Sequence, residues 1–164
     1  MKQKVLSITS GIPGSGKSTW LNKNRPDAII ISRDEIRFSL LKKGEDYFSH
    51  EDEVLNIFYN KINEALNSNE DKEIIIDATH LSKKARTNLF NHIDMDKVGT
   101  LYAYCFDIPL EVCFNRNEKR KGRAKVPKSV IRRMYFSFQP PSIREGFKEI
   151  FCINTEGEVY KIFF

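Results

Sequence analysis

The chain has 164 residues, 40% of them hydrophobic and 30% charged, with a formal net charge of +5; this excludes a disordered or low-complexity polymer and fits a single domain that buries its own core. Cys105, Cys113 and Cys152 are odd in number and widely spaced, so reduced core thiols of a cytoplasmic protein are expected, not a disulfide framework or a zinc cluster. The apolar start breaks at Thr9 and Ser10 before reaching signal-peptide length, and no run is long enough to span a membrane.

In chain order, the run Val5–Thr9 predicts a first strand, and helical periodicity follows over residues 18–24. Between them lies "GIPGSGKSTW", in which Gly11, Gly16, Lys17 and Ser18 satisfy G-x-x-x-x-G-K-[ST]. A strand before this motif and a helix after it are the contextual conditions for a Walker A phosphate loop. Its glycines let successive backbone N–H groups point inward, and the helix N-terminus adds partial positive charge. Gly11, Pro13, Gly14, Ser15, Gly16, Lys17, Ser18 and Thr19 are therefore expected to bind the phosphates of ATP, with Lys17 at the β- and γ-phosphates and Ser18 on Mg2+.

A second strand at residues 28–31 enters a helix over 33–41, which puts Arg33, Asp34 and Arg37 at the strand's carboxyl edge. Asp34 and Arg37 are three apart and share a helical face. Two readings stand: an N-cap aspartate with an i to i+3 ion pair, or a general base beside a clamp for an anionic acceptor. A carboxylate suits the second role because an acceptor hydroxyl sheds its proton as its bond to phosphorus forms, a step worth roughly 10² to 10⁴ in rate. The stretch Leu40–Glu53 is assigned to the acceptor side with no residue singled out.

A helix over 50–67, starting near Ser49, leads to a strand at 73–77. In "EIIIDATH", Asp77 follows three apolar residues as the acid of a Walker B strand does, ordering Mg2+ directly or through water, with Thr79 and His80 after it; His80 is given no catalytic role. A helix over 82–92 starts near Ser82. "DKVG" at Asp96–Gly99 matches the D-x-x-G of GTPases by letters, but it precedes a strand and no N-K-x-D occurs, which argues against a GTPase. A strand at 100–106, helices at 109–120 (starting near Asp107) and 127–138, and strands at 149–154 and 159–164 joined by "TEGE" as a hairpin complete the chain.

Charge concentrates between Arg116 and Arg133, where nine Lys or Arg, including Arg123 and Lys125, face one acid, Glu118. This is either a solvated basic helix surface or a track for an anionic substrate. Arg116 and Arg120 are four apart, "KGRAK" reads as a mobile loop, and Pro127 can open the next helix. That is the pattern of a lid, about 116–127, whose arginines close over ATP. Tyr135, Phe136 and Phe138 are core residues or stacking platforms for bases.

Strands alternating with helices predict an α/β fold with a parallel sheet covered on both faces and ligands at the strands' carboxyl ends. "GIPGSGKSTW", "ISRDEIR", "IIIDATHL" and "NRNEKR…VPKSVIRRMY", in that order, resemble the kinase domain of phage 5′-polynucleotide kinases and, more broadly, the small P-loop kinases. The resemblance runs from Val5 to about Ile150 and implies an adenylate-kinase-like P-loop NTPase fold with a helical lid, in one kinase domain over 1–164. It implies ATP- and Mg2+-dependent phosphorylation of RNA or DNA 5′-hydroxyl ends, in a cytoplasmic protein of phage type acting in the host cytoplasm. By the same resemblance Lys17, Arg116 and Arg120 contact donor phosphates, and Ser18 serves the metal. Asp34 is the general base, Arg37 holds the acceptor's 3′-phosphate, and Thr79 and Val126 lie near the acceptor. No D-x-D-G-T phosphatase motif follows, so 3′-end processing is expected from elsewhere, and Ala78 separates Asp77 from Thr79 where the phage enzyme has the two adjacent. Two alternatives stand beside this reading: a kinase of a nucleoside, sugar nucleotide or antibiotic, and a nucleic-acid-binding NTPase without phosphotransfer.

Overall fold

β-Branched runs that alternate between two apolar environments build the sheet. In the computed structural model, which describes residues 3–122 and 125–164, six strands stand in the order β2-β3-β1-β4-β5-β6. The strands are β1 Lys4–Ser10, β2 Ile29–Ser32, β3 Ile74–Asp77, β4 Val98–Cys105, β5 Glu149–Ile153 and β6 Val159–Ile162. The helices are α1 Lys17–Asn24, α2 Arg33–Leu40, α3 Glu51–Leu66, α4 Lys83–Phe90, α5 Leu110–Glu118 and α6 Lys128–Ser137. β1 to β5 pair in parallel, and β6 runs antiparallel to β5, so the sheet is mixed through the expected hairpin.

Ile74, Ile75 and Ile76 are all fully buried, because successive side chains enter opposite layers. Ile74 and Ile76 join Leu6, Ile8, Phe58 and Ile62 beneath α3. Ile75 joins Trp20, Leu21, Phe114 and Ile131 beneath α1, α5 and α6. Both faces are thus covered, as expected. The three cysteines are buried and free.

β1 lies between β3 and β4, so chain connections diverge to either side of its carboxyl end and open a crevice there. The loop after β1, the end of β3 and the start of α2 all reach this edge. Helix starts differ slightly from expectation. Ser32, not Asp34, caps α2, accepting from Glu35 N at 3.2 Å, while α3 and α5 begin after His50 and Pro109, close to Ser49 and Asp107. Ser82 caps α4 as expected, accepting from Ala85 N at 3.0 Å. Between α5 and α6 the described residues are irregular; Arg123, counted in the basic run, lies outside the described residues.

Candidate active site at the carboxyl edge of the sheet

Gly14 and Gly16 have φ of 82° and 88°, the left-handed region that favours glycine. The space is closed as well. A Cβ on Gly14 would stand 2.6 Å from the Cys113 carbonyl oxygen, and one on Gly16 2.8 Å from Arg116 Nη1. The loop is therefore clamped against α5, and Arg116 lies directly on it.

Lys17 folds back over the loop and donates to the carbonyls of Gly11 at 2.9 Å and Ile12 at 3.0 Å. Desolvation lowers its pKa and the charge of Arg120 adds to the effect, while Asp77 and Asp34 oppose it. Lys17, Arg120, Asp34 and Asp77 therefore share one electrostatic neighbourhood, although they come from four separate segments. Ser18 Oγ donates to Asp77 Oδ2 at 2.7 Å, and Asp77 is 5% exposed. Thr9 secures the other carboxylate oxygen at 3.2 Å and also bonds both the N–H and C=O of Ala78. The residue that separates Asp77 from Thr79 is thus tied to β1, and Thr79 accepts from Gly11 N at 2.9 Å.

His80 has φ 42° and is buried, with Nδ1 against the Thr9 carbonyl at 2.8 Å. Burial pushes its pKa down to about 4, which leaves a neutral, structural imidazole. Its own carbonyl accepts from Ser10 and from the fully buried Arg86, which pairs with Glu145.

On the opposite wall, Asp34 exposes 56% of its side chain and pairs with Arg37 Nη1, whose side chain is 6% exposed. Glu51, from the first turn of α3, takes Arg37 Nε at 3.1 Å and Nη2 at 2.6 Å, and Arg33 Nη2 at 2.6 Å. Tyr47 Oη accepts from Arg37 Nη1 at 2.7 Å and donates to Asp34 Oδ1. Desolvation opposes the charge on Arg37, but Glu51, Tyr47 and Asp34 outweigh it and its pKa rises. Of the local reading of Asp34, the i to i+3 ion pair is present and the N-cap role falls to Ser32.

Val126 is held by a buried residue of α5: Asn117 Nδ2 donates to its carbonyl at 2.6 Å, and its N–H donates to Asn117 Oδ1 at 2.9 Å. Sequence reasoning missed Asn117, Tyr47 and Glu51. An asparagine inside a helix of charged neighbours, and an acid facing two arginines of the preceding helix, were the signals available; nothing local marked Tyr47. Among the described residues no cluster of three or more His, Cys, Asp or Glu forms a metal site. A Ser18–Asp77 oxygen pair is a different donor set, suited to Mg2+, which keeps water and substrate phosphates as its remaining ligands. No helix of the described residues is long and apolar enough to cross a membrane.

A family model described as an AAA domain (AAA_33) matches residues 6–141. A chain of the Pnkp1/Rnl/Hen1 RNA repair complex superposes with a TM-score of 0.69 at 24% identity, over 86% of this chain and 49% of that one, so the present chain spans about half its length. A sugar kinase from Janibacter sp. gives 0.60 at 15% identity over 94% of this chain and 87% of that one. Kti12 of Chaetomium thermophilum, solved with ADP-AlF3, gives 0.61 at 14% identity over 93% and 90%. These likenesses establish the fold, which a chain of an RNA repair complex and a sugar kinase share.

Proposed function

The chain belongs to this AAA domain family, with its P-loop kinase fold, and from that premise we propose that it transfers the γ-phosphoryl group of ATP to the 5′-hydroxyl end of RNA or DNA. The observation that carries the reading is the solvent-facing Asp34 carboxylate, paired with Arg37 and within electrostatic reach of Lys17. A base, a cation for the acceptor and a cation for the donor then stand on one edge.

The acceptor oxygen attacks the γ-phosphorus, its proton moves to Asp34, and the bond from the γ-phosphorus to the β-phosphate oxygen breaks to release ADP. Lys17, Arg116 and Arg120 spread the charge of the transferring group, the largest contribution in phosphoryl transfer. Ser18 and Asp77 would hold Mg2+, which when bound supplies positive charge against the β- and γ-phosphates. Arg37 receives the phosphate 3′ to the acceptor sugar through Nη1, while Glu51 keeps its other edge fixed. Thr79 and Val126 border the acceptor. The exposed basic face of α6, with Lys128, Arg132 and Arg133 beside the exposed Phe136, favours a polyanionic acceptor over a small molecule.

The test is γ-labelled ATP offered with 5′-hydroxyl RNA and DNA oligomers, the same oligomers already 5′-phosphorylated, and a panel of nucleosides and sugars. Label on the 5′-hydroxyl oligomers alone is expected. Label on small molecules alone would replace this reading with a small-molecule kinase, and free phosphate alone with an NTPase.

A further inference from the structure

Tyr47 lies in the connection between α2 and α3, a segment of turns without strand or helix. Gly44 sits in it at φ 86°, where an added Cβ would meet nothing within 4 Å, and no strand or helix hydrogen bonds hold Tyr47 in place. Yet the Tyr47 hydroxyl makes two specific bonds. It accepts from Arg37 Nη1 at 2.7 Å, as a phosphate oxygen would, and it donates to Asp34 Oδ1, as an acceptor hydroxyl would. Its ring lies 4.3 Å from the Arg37 guanidinium, with Phe38 and Phe48 meeting it edge-on. Phe48 is itself 63% exposed, so this aromatic group is a surface cap and no part of the core. Burial and Asp34 raise the phenol's pKa, so it remains a protonated donor at neutral pH.

We propose that Tyr47 is a specificity-determining residue that holds the acceptor's place between Asp34 and Arg37, keeping water from that place until a polynucleotide end displaces it. The inference rests on the reading of Asp34 as general base. Water and acceptor must both compete with the phenol for the same position. A 5′-hydroxyl with its neighbouring phosphate replaces both of the tyrosine's bonds, one to Asp34 and one to Arg37. A single water can make the same two bonds, but it offers Arg37 a neutral oxygen where the acceptor offers a charged phosphate, so the acceptor displaces the phenol more readily than water does.

Competition for one position makes a quantitative demand. In Tyr47→Phe the ring stays over Arg37 but the two bonds are gone. A hydrogen bond to charged partners corresponds to about a tenfold occupancy. Acceptor-independent ATP hydrolysis should therefore rise about tenfold and the acceptor KM fall about tenfold. The two changes share one cause and should agree in size. In the unmutated protein carrying 3-fluorotyrosine, the Tyr47 19F resonance, identified by its loss in Tyr47→Phe, should move when a 5′-hydroxyl oligomer is added. Unchanged hydrolysis, a KM that stays or rises, or a resonance that does not move would each overturn the proposal. Asp34→Asn separates this failure from that of the underlying reading. If Asp34→Asn abolishes transfer while Tyr47→Phe shows no paired change, only the role of Tyr47 falls; if Asp34→Asn still transfers phosphate at the original rate, the base assignment falls and the Tyr47 inference with it.

Discussion

Replacing Glu51 by alanine tests whether the acceptor wall is an assembled unit. Arg37 is almost fully buried and makes two of its four bonds to this carboxylate. Arg33, whose Nε is already a buried nitrogen without a partner, also gives one bond to Glu51. Removing one partner of a buried ion pair costs roughly 3–5 kcal/mol, because the surviving charge is left desolvated. Glu51 itself is 24% exposed, so water can enter the space it leaves, and Asp34 and Tyr47 remain on Nη1. Both facts favour the lower end, about 3 kcal/mol, or roughly 10 °C in Tm for a domain of this size. Glu51→Gln keeps one acceptor oxygen and should lose about 1–2 kcal/mol. Burial opposes ionisation of Glu51, but Arg37 and Arg33 outweigh it and hold its pKa below the ordinary 4.5. Its contribution is therefore fully present above that value and lost as pH falls through the depressed native pKa. Urea unfolding at neutral pH, repeated toward pH 3, measures both effects. A Glu51→Ala loss below about 1 kcal/mol, or equal losses for Ala and Gln, would refute the view of Arg37 as a buried cation held by Glu51.

Three further outcomes follow from the donor side. Gly14→Ala should abolish nucleotide binding in an equilibrium titration with a fluorescent ATP analogue, since φ 82° and the Cys113 carbonyl oxygen 2.6 Å away both oppose a methyl group; normal affinity would refute the loop's clamping by α5. Asp77→Asn should keep the contact to Ser18 yet raise the Mg2+ concentration needed for half-maximal turnover by tenfold or more, while an unchanged requirement would remove Asp77 from the metal's surroundings. For His80, whose native pKa is lowered to about 4, the unfolded chain binds the extra proton first. Stability should consequently fall as pH drops from about 6.5 toward 4, by about 3 kcal/mol in all; His80→Asn, tolerated at φ 42°, should flatten that slope in urea titrations.

Much of the donor side was legible because its chemistry is local. The phosphate loop needs glycines where the backbone turns left-handed and a lysine and serine at its end, all within ten consecutive residues. Asp77 was readable for a similar reason: a buried parallel strand is an apolar run, so a carboxylate at its last position stands out. Strand boundaries were legible from the same runs, and the helices from their periodicity. The acceptor wall was less so. Arg37 reads as a helical arginine sharing a face with Asp34, and only the packing of α2 on α3 reveals that it is buried against Glu51. Tyr47 sits in a connection whose path is set by tertiary contacts, and no period-based argument reaches it. Asn117 offered only the faint signal of an asparagine inside a charged helix, since its partners belong to Val126, beyond the end of α5.

The contacts of the site, local and long-range, share a design. Lys17 is satisfied by the carbonyls of its own loop, Ser18 by Asp77, and Asp34 by Tyr47 and Arg37. Each group that the proposed reaction uses is thus already hydrogen-bonded within the protein, which avoids the penalty of a buried polar group without a partner. Substrate binding then exchanges one set of hydrogen bonds for another of similar strength, so the exchange alone supplies little affinity. Under the proposed reaction the gain comes from net charge: a phosphate chain would meet Lys17, Arg116 and Arg120, and an acceptor phosphate Arg37. Salt should therefore weaken both substrates steeply. The fall in acceptor affinity with salt should be steeper for long oligomers than for short ones if the basic face of α6 engages the strand beyond its end. Equal salt slopes for dinucleotides and longer oligomers would confine recognition to Arg37 and leave the α6 charges as a solvated surface.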